Sequence, residues 1–181
     1  MKKQFIELSV ATRDGRFTAR YSPKGLAEMD FPSNDCRRRG DGSQISSTST
    51  GSKKDSSRRL LPDPDKIRDW HHATQAALKT ILAGRAAKKL PPLDTTGTEF
   101  QQAVWRELRK ISPGKTKSYG EIARAIGKPK AVRAVGGACG ANPIPVLVPC
   151  HRVLAANNKL GGFGGGLEWK RKLLAREAVK F

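Results

Sequence analysis

The sequence predicts an α+β fold: a small N-terminal β-sheet with a helix, then a mainly helical, winged-helix-like part that contains a helix-turn-helix. Two patterns predict it. Apolar residues alternate in short runs before residue 32, as in strands with one buried face, and recur at helical spacing after residue 64. Two domains fit in 181 residues, and we place them at residues 1–92 and 96–181, with Pro91-Pro92 marking the linker.

The N-terminal strands are predicted from alternating runs over residues 4–10 and 17–21, with Asp14-Gly15 between them. An Asp-Gly pair between two such runs is typical of a tight hairpin turn. A third run over residues 27–31 adds another strand. The expected sheet is small and needs a helix to pack on.

An insertion interrupts the first domain. Residues 33–60 are rich in Ser, Gly and basic residues and contain only Ile45 and Leu60 as large aliphatic residues. They cannot bury enough apolar surface to offset the entropy lost on ordering, so we expect a flexible basic insertion. Asp63-Pro64 then has the composition of a helix cap and first helical position, and apolar residues continue at helical spacing to Ile81.

Two capping boxes mark helix starts in the second domain. Thr98 and Gln101 have this spacing ahead of a helix over about residues 99–111, and Ser118 and Glu121 repeat it ahead of a shorter helix. In each box a side chain satisfies a backbone N–H that the helix itself leaves free.

A helix-turn-helix is predicted because Gly127 and Pro129 end the shorter helix and another begins near Ala131. Helical hairpins of ordinary cores have the same pattern, so charge is needed to distinguish them. The formal net charge is +19, and residues 96–181 carry 16 basic and 5 acidic residues. Such an excess attracts polyanions, so nucleic acid is the expected partner.

Residues 142–154 carry prolines that rule out a helix, and we expect a buried, extended segment ending near Cys150. A thiol beside His151 and Arg152 is where a low-pKa nucleophile could form, while an inert core thiol is the alternative. Neighbouring side chains on a strand point to opposite faces, so His151 should reach the sulfur only through a turn or a water. Of the later acids, Glu177 is the better candidate to orient His151.

A glycine-rich loop over residues 161–166 could bring backbone close to a ligand. The last helix is expected to have one modest apolar face, formed by Leu167, Arg171, Leu174 and Ala178.

The other two cysteines carry no sign of chemistry. Cys139 stands among Gly and Ala and is interpreted as packing in the core, and Cys36 lies in the insertion. No nucleotide, flavin or zinc motif has the required spacing, so we expect no cofactor and no metal.

A resemblance to a known family rests on Pro149-Cys150-His151-Arg152-Val153, preceded by the AVRAVGG run at 131–137 and by Asn142-Pro143. This pattern resembles the O6-alkylguanine-DNA alkyltransferases, also called methylated-DNA–protein-cysteine methyltransferases. It covers about residues 96–178, whereas the N-terminal part matches in outline only. The resemblance implies DNA repair by direct, stoichiometric and irreversible transfer of an alkyl group from O6-alkylguanine in double-stranded DNA to Cys150, with O4-alkylthymine as a further candidate substrate.

The resemblance also implies roles for single residues. Glu177 would orient His151, which would activate Cys150 through a water, while Asn142 would brace the turn. Tyr119 would crowd the phosphate beside the lesion and protonate the leaving guanine. Arg133 would fill the gap that the flipped base leaves in the base stack. The other residues implied to contact the flipped base or the DNA are Tyr119, Ala134, Gly136, Arg152, Val153, Phe163 and Lys170. Phe163 stands where some relatives have a tyrosine.

Two other functions fit parts of the pattern. A non-catalytic binder of alkylated DNA would share the fold, but the alkyltransferase-like proteins replace the cysteine that is retained here as Cys150. A cysteine hydrolase could use Cys150, His151 and Glu177, but the helix-turn-helix speaks against it. With no apolar run long enough for a membrane span and no paired cysteine spacing, we expect a cytoplasmic monomer, nucleoid-associated if the source is bacterial.

Overall fold

The computed structural model describes residues 5–32 and 63–181. The predicted insertion at 33–60, with Cys36, lies outside the described residues. The elements, in chain order, are β1 (Ile6–Thr12), β2 (Gly15–Ser22), β3 (Gly25–Asp30), α1 (Pro64–Leu82), α2 (Glu99–Arg109), β4 (Lys117–Ser118), α3 (Tyr119–Ala125), α4 (Val132–Gly140), β5 (Val153–Leu154) and α5 (Leu167–Arg176). The mixed α+β class is confirmed.

The N-terminal sheet has the order β1-β2-β3, and both neighbouring pairs are antiparallel. Gly15 opens β2 with a φ of 115°, a conformation that favours glycine, so the predicted hairpin is confirmed. Helix α1 packs against β1 and β3 and covers the apolar face of the sheet. One backbone hydrogen bond, from the Met29 N–H to the Pro143 carbonyl (2.8 Å), ties β3 to the segment that leads to Cys150.

The predicted helix starts are confirmed. Asp63 accepts a hydrogen bond from the Asp65 N–H with Pro64 at the start of α1, and both predicted capping boxes have both of their hydrogen bonds. Each such cap contributes about 1 kcal/mol. The helix-turn-helix is formed by α3 and α4, and α4 also packs on α2.

The segment at 142–154 is buried as expected, but the expectation that it is extended is wrong. The Val148 N–H bonds back to the Ile144 carbonyl, Val146 has a φ of 73°, and Cys150–Arg152 forms a 3-10 turn. The prolines in this segment have no N–H to donate to a neighbouring strand, so it closes on itself in local turns. Only β5 is extended, and it pairs in parallel with β4, Lys117 opposite Val153 and Ser118 opposite Leu154.

The apolar face predicted for α5 is wrong, because only Leu174 of its four residues is buried. Leu167 is 42% exposed, Arg171 and Ala178 are also exposed, and the buried residues of the helix are Trp169, Lys170, Leu173 and Leu174. Trp169 sets this orientation because its ring packs on Phe17 and Phe31 of the N-terminal part, with centroids 5.5 and 4.9 Å away.

The buried apolar residues on both sides of the predicted linker belong to one continuous cluster. The division into two domains stays a prediction. Within the described ranges, none of the helices combines the length and the apolar character that a membrane span needs.

Candidate active site

Cys150 is the first residue of the 3-10 turn and is only 5% exposed. Its Sγ accepts a hydrogen bond from the Asn142 Nδ2 at 3.1 Å. The same Nδ2 donates to the Val148 carbonyl (2.8 Å), and the Asn142 Oδ1 accepts from the Ile144 N–H (3.1 Å). Asn142 therefore holds the turn on either side of the sulfur, as the expected bracing role requires.

His151, fully buried, points its Nε2 at the Glu177 Oε1, 3.1 Å away. Its Nδ1 is buried and has no hydrogen-bond partner among the described residues. Glu177 is the C-cap of α5, so the final helix does pack back on the turn. The predicted pairing of Glu177 with His151 is present in the structure.

Arg152 was expected to contact substrate or DNA, but in the structure its side chain is turned inward to Glu177. It is buried, and its Nε and Nη2 bind the Glu177 carboxylate at 2.7 to 3.1 Å while its Nη1 donates to the Ile111 carbonyl at 2.6 Å. The Gly114 N–H also reaches Glu177, at 3.3 Å. Arg152 thus neutralises and holds the carboxylate that faces His151.

The protonation states follow from burial and from these contacts. Burial raises the pKa of Cys150, only partly opposed by the hydrogen bond from Asn142, so of the two alternatives that the sequence left open the protein at rest favours the protonated thiol. Burial lowers the pKa of His151 and outweighs the opposing effect of Glu177. Burial would raise the pKa of Glu177, but the hydrogen bonds from His151 and Arg152 lower it to about 2. The site holds a thiol, a neutral imidazole and a carboxylate, so the imidazole can accept a proton.

A pocket of about 460 Å³ opens over the sulfur, and its walls are Tyr119, Gly136, Cys139, Gly140, Cys150, Gly162, Phe163 and Gly164. The Tyr119 hydroxyl lies 3.5 Å from the Gly162 carbonyl. Burial is the main cause that raises the pKa of Tyr119 to about 12, so this hydroxyl keeps its proton. Three expected contact residues, Tyr119, Gly136 and Phe163, therefore share the pocket with Cys150.

A second, larger cleft of about 670 Å³ also reaches Cys150 from the side of the N-terminal sheet. Phe31, which directly follows β3, packs edge-on against Phe163, with ring centroids 5.7 Å apart. A Cβ at Gly165 would lie 2.5 Å from the Phe31 ring. Phe31 therefore packs against the glycine-rich loop at Phe163 and Gly165.

Lys170 was also expected to contact substrate or DNA, but in the structure it is fully buried. Its Nζ donates to the carbonyls of Val153 (2.7 Å), Leu160 and Gly162 (3.4 Å), and burial lowers its pKa. Lys170 joins β5 to the glycine-rich loop. Val153 is one of the residues implied to contact the flipped base, and its carbonyl already accepts a hydrogen bond from Lys170.

Helix α4 connects the pocket with the surface. Val132, Arg133 and Ala134 are exposed, whereas Gly136 lines the pocket one turn further along. The expected DNA contacts Arg133 and Ala134 therefore lie where a partner can reach them.

Sequence reasoning did not identify two of the residues that line the cavities. Cys139 packs in the core as interpreted, but it also lines both cavities with Cys150; its position three residues after Gly136, on the same helical face, was the available signal. Phe31 carried no local signal, because its contacts come from residues far along the chain. No cluster of three or more potential metal ligands occurs in the described part of the chain.

Comparison with known proteins gives a consistent result. Residues 99–179 match the model of the 6-O-methylguanine DNA methyltransferase DNA-binding domain. The methylated-DNA–protein-cysteine methyltransferase of Haemophilus influenzae is 56% identical over 90 residues, which are 50% of this chain and 50% of that protein. The chain thus spans about half the length of that curated relative.

Solved structures extend the similarity to nearly the whole chain. The Mycobacterium tuberculosis O6-methylguanine methyltransferase structure is 34% identical, with 96% of this chain and 93% of that chain covered and a TM-score of 0.65. The structure of M. tuberculosis OGT in complex with DNA is 35% identical, with 93% and 90% covered and a TM-score of 0.64. Both the fold and the helix-turn-helix region therefore have solved counterparts.

Proposed function

Because the chain belongs to the 6-O-methylguanine DNA methyltransferase family, we propose that it repairs DNA by moving an alkyl group from the O6 of guanine to its own Cys150. The observation that carries the proposal is the buried Cys150 thiol at a pocket, next to a neutral His151 held by Glu177. The burial of Sγ restricts the reaction to a group that enters this pocket.

The transfer needs a thiolate, so the thiol proton must leave first. It passes to the His151 Nδ1 through a bridging water, and Glu177 stabilises the imidazolium that forms. Sγ then attacks the alkyl carbon in line: the S–C bond forms, the C–O6 bond breaks, and its electron pair stays on guanine. Tyr119 donates a proton to the guanine and regains one from His151 through water. The products are neutral guanine and a thioether, which has no easy return to thiol, so each chain acts once.

The lesion must reach Cys150 from DNA. The proposed path places α4 in the minor groove, with Ala134 and Gly136 close to the backbone and the base turned out into the pocket beside Tyr119 and Phe163. Arg133 fills the space that the base leaves in the stack, which compensates part of the unstacking cost. The exposure of Arg133 on α4 supports this path, as does the M. tuberculosis relative solved with DNA. Such a substrate implies work in the cytoplasm, at the nucleoid in a bacterium.

The test is mass spectrometry after incubation with a duplex oligonucleotide that contains one O6-methylguanine, with an unmodified duplex as control. No Lys or Arg separates Cys139 from Cys150, so one tryptic peptide holds both and must be fragmented to locate the change. We expect one added methyl mass on Cys150, none on Cys139, and none in the Cys150→Ala variant. Tight binding of the lesion without added mass would overturn transfer in favour of a non-catalytic binder.

A further inference from the structure

Helix α5 ends next to the carboxylate of the site: Arg176 is its last residue and Glu177 is its C-cap. The last turn of a helix lacks partners for its carbonyls, and its partial negative charge disfavours a carboxylate at that end. Glu177 at the end of a 10-residue helix therefore depends on contacts from outside α5 to stay against His151.

Asp14 supplies such a contact from the turn between β1 and β2. Its side chain is 5% exposed and accepts two hydrogen bonds from Arg176, with Nη1 at 2.7 Å and Nη2 at 2.6 Å. The Lys172 Nζ lies 3.2 Å from the same carboxylate. A two-pronged Arg–carboxylate pair fixes direction as well as distance, so it restrains the last turn of α5.

The loop after α1 adds a second contact at the same place. A Cβ at Gly84 would lie 2.0 Å from the Arg176 carbonyl oxygen, so the backbone there runs directly against the end of α5. Arg13, next to Asp14, donates to the Leu82 carbonyl at 3.3 Å and links the hairpin turn to the end of α1. Two separate N-terminal segments thus meet at Arg176.

We infer that Asp14 is a positioning residue for alkyl transfer: through Arg176 it holds Glu177 against His151, and so the N-terminal part of the chain sets the reactivity of Cys150. This role rests on the proposed function. The Arg176 hydrogen bonds lower the pKa of Asp14 to about 2, so Asp14 carries its charge at neutral pH. Asp14 touches neither pocket wall nor substrate, and its effect is indirect.

The experiment compares Asp14→Asn with wild type in single-turnover methyl transfer from an O6-methylguanine duplex at saturating DNA. We expect the maximal rate to fall roughly tenfold, because a small displacement of a relay group slows transfer, while the Kd for the duplex stays unchanged. Asp65→Asn is the matched control, because Asp65 forms an exposed ion pair with Arg68 on α1 (2.8 Å), away from the site. Arg176→Lys keeps the charge without the two-pronged geometry and serves if Asp14→Asn does not fold.

A double-mutant cycle separates positioning from general destabilisation. If Asp14 acts through Glu177, then Asp14→Asn should slow the reaction much less in a Glu177→Gln background than in wild type. Equal rates for Asp14→Asn and wild type, or full additivity in the cycle, would overturn the role of Asp14 alone. A wild-type protein that never gains methyl mass overturns the proposed function, and this role with it.

Discussion

Glu177 connects the protonation of the site with the stability of the fold. Its pKa is lowered from 4.5 to about 2 in the folded protein, since the hydrogen bonds of His151 and Arg152 outweigh burial. A group with a lowered folded pKa stabilises the protein above its unfolded pKa, and this contribution is lost as pH falls through the folded pKa. We expect the free energy of unfolding to fall between pH 4.5 and 2.

The measurement is urea unfolding at a series of pH values for wild type and Glu177→Gln. The variant should be less stable at neutral pH and lose less stability on acidification than wild type. The same pH slope in both proteins would show that Glu177 does not carry the effect.

Lys170 gives a second prediction at the scale of one side chain. Its buried Nζ donates to three carbonyls, so Lys170→Met would leave those carbonyls without their partner. We expect a loss of roughly 1 to 3 kcal/mol in the free energy of unfolding, measured by urea titration. Lys66→Met, at an exposed lysine of α1, is the comparison. A loss no larger for Lys170→Met than for Lys66→Met would contradict the structural role of the buried ammonium.

Single residues were predictable where their partners are close in the sequence. Asn142 lies eight residues from Cys150, and the capping pairs lie three apart. The ion pair of Arg152 with Glu177 was not predicted because the two residues are 25 positions apart, and burial of the Arg152 charge is favourable only once that partner is in place. The protonation state of Cys150 stayed open for a related reason, because sequence neighbours do not reveal how deeply a group is buried.

At the scale of an element, α4 is expected to separate DNA contact from chemistry. Arg133→Ala removes the side chain proposed to fill the stack, so repair of a paired O6-methylguanine should slow by about tenfold, whereas reaction with the free alkylated base should not. Arg85→Ala, an exposed arginine in the loop after α1, is the charge-matched control. Equal losses on both substrates would refute the stacking role.

The glycine-rich loop should tolerate side chains at one glycine and not at another. A Cβ at Gly165 meets the Phe31 ring, which is itself packed against Phe17, Trp169 and Phe163 and cannot move aside easily. We expect Gly165→Ala to destabilise the protein by roughly 1 to 3 kcal/mol in urea unfolding. Gly162→Ala, where a Cβ meets nothing within 4 Å, should show no such clash. Similar stabilities for the two variants would count against this packing.

Helices and strands were predicted correctly where residues close in the sequence determine them. Caps and helical periodicity identified α1 and α2, and the Asp14-Gly15 pair identified the hairpin. The segment before Cys150 was misjudged because prolines exclude a helix without selecting a strand. The buried face of α5 could not be read from its own residues, since Trp169 is directed by aromatic rings of the N-terminal sheet.

At the scale of the whole molecule, charge should dominate DNA affinity. The formal net charge is +19, and residues 96–181 carry 16 basic against 5 acidic residues. Binding then releases counterions, and the Kd for duplex DNA should rise about a hundredfold between roughly 50 and 200 mM salt. Fluorescence anisotropy of a labelled duplex measures this. A flat salt titration would contradict an electrostatic origin of the affinity.

The overall α+β class and the family resemblance were accessible from the sequence, but the way the two parts meet was not. Asp14 and Arg176 are 162 residues apart, and nothing near either residue indicates the other. A long-range pair of this kind follows from how the core is assembled, and local patterns do not reveal it.

Strand β4 restrains the turn that holds Cys150. Its two residues pair with the two that follow the turn of Cys150, and Ser118 of the same strand caps α3. A shift of the Cys150 turn would therefore disturb both this pairing and the start of α3. In the proposed reaction the pairing favours a fixed sulfur, to which the alkylated base has to travel.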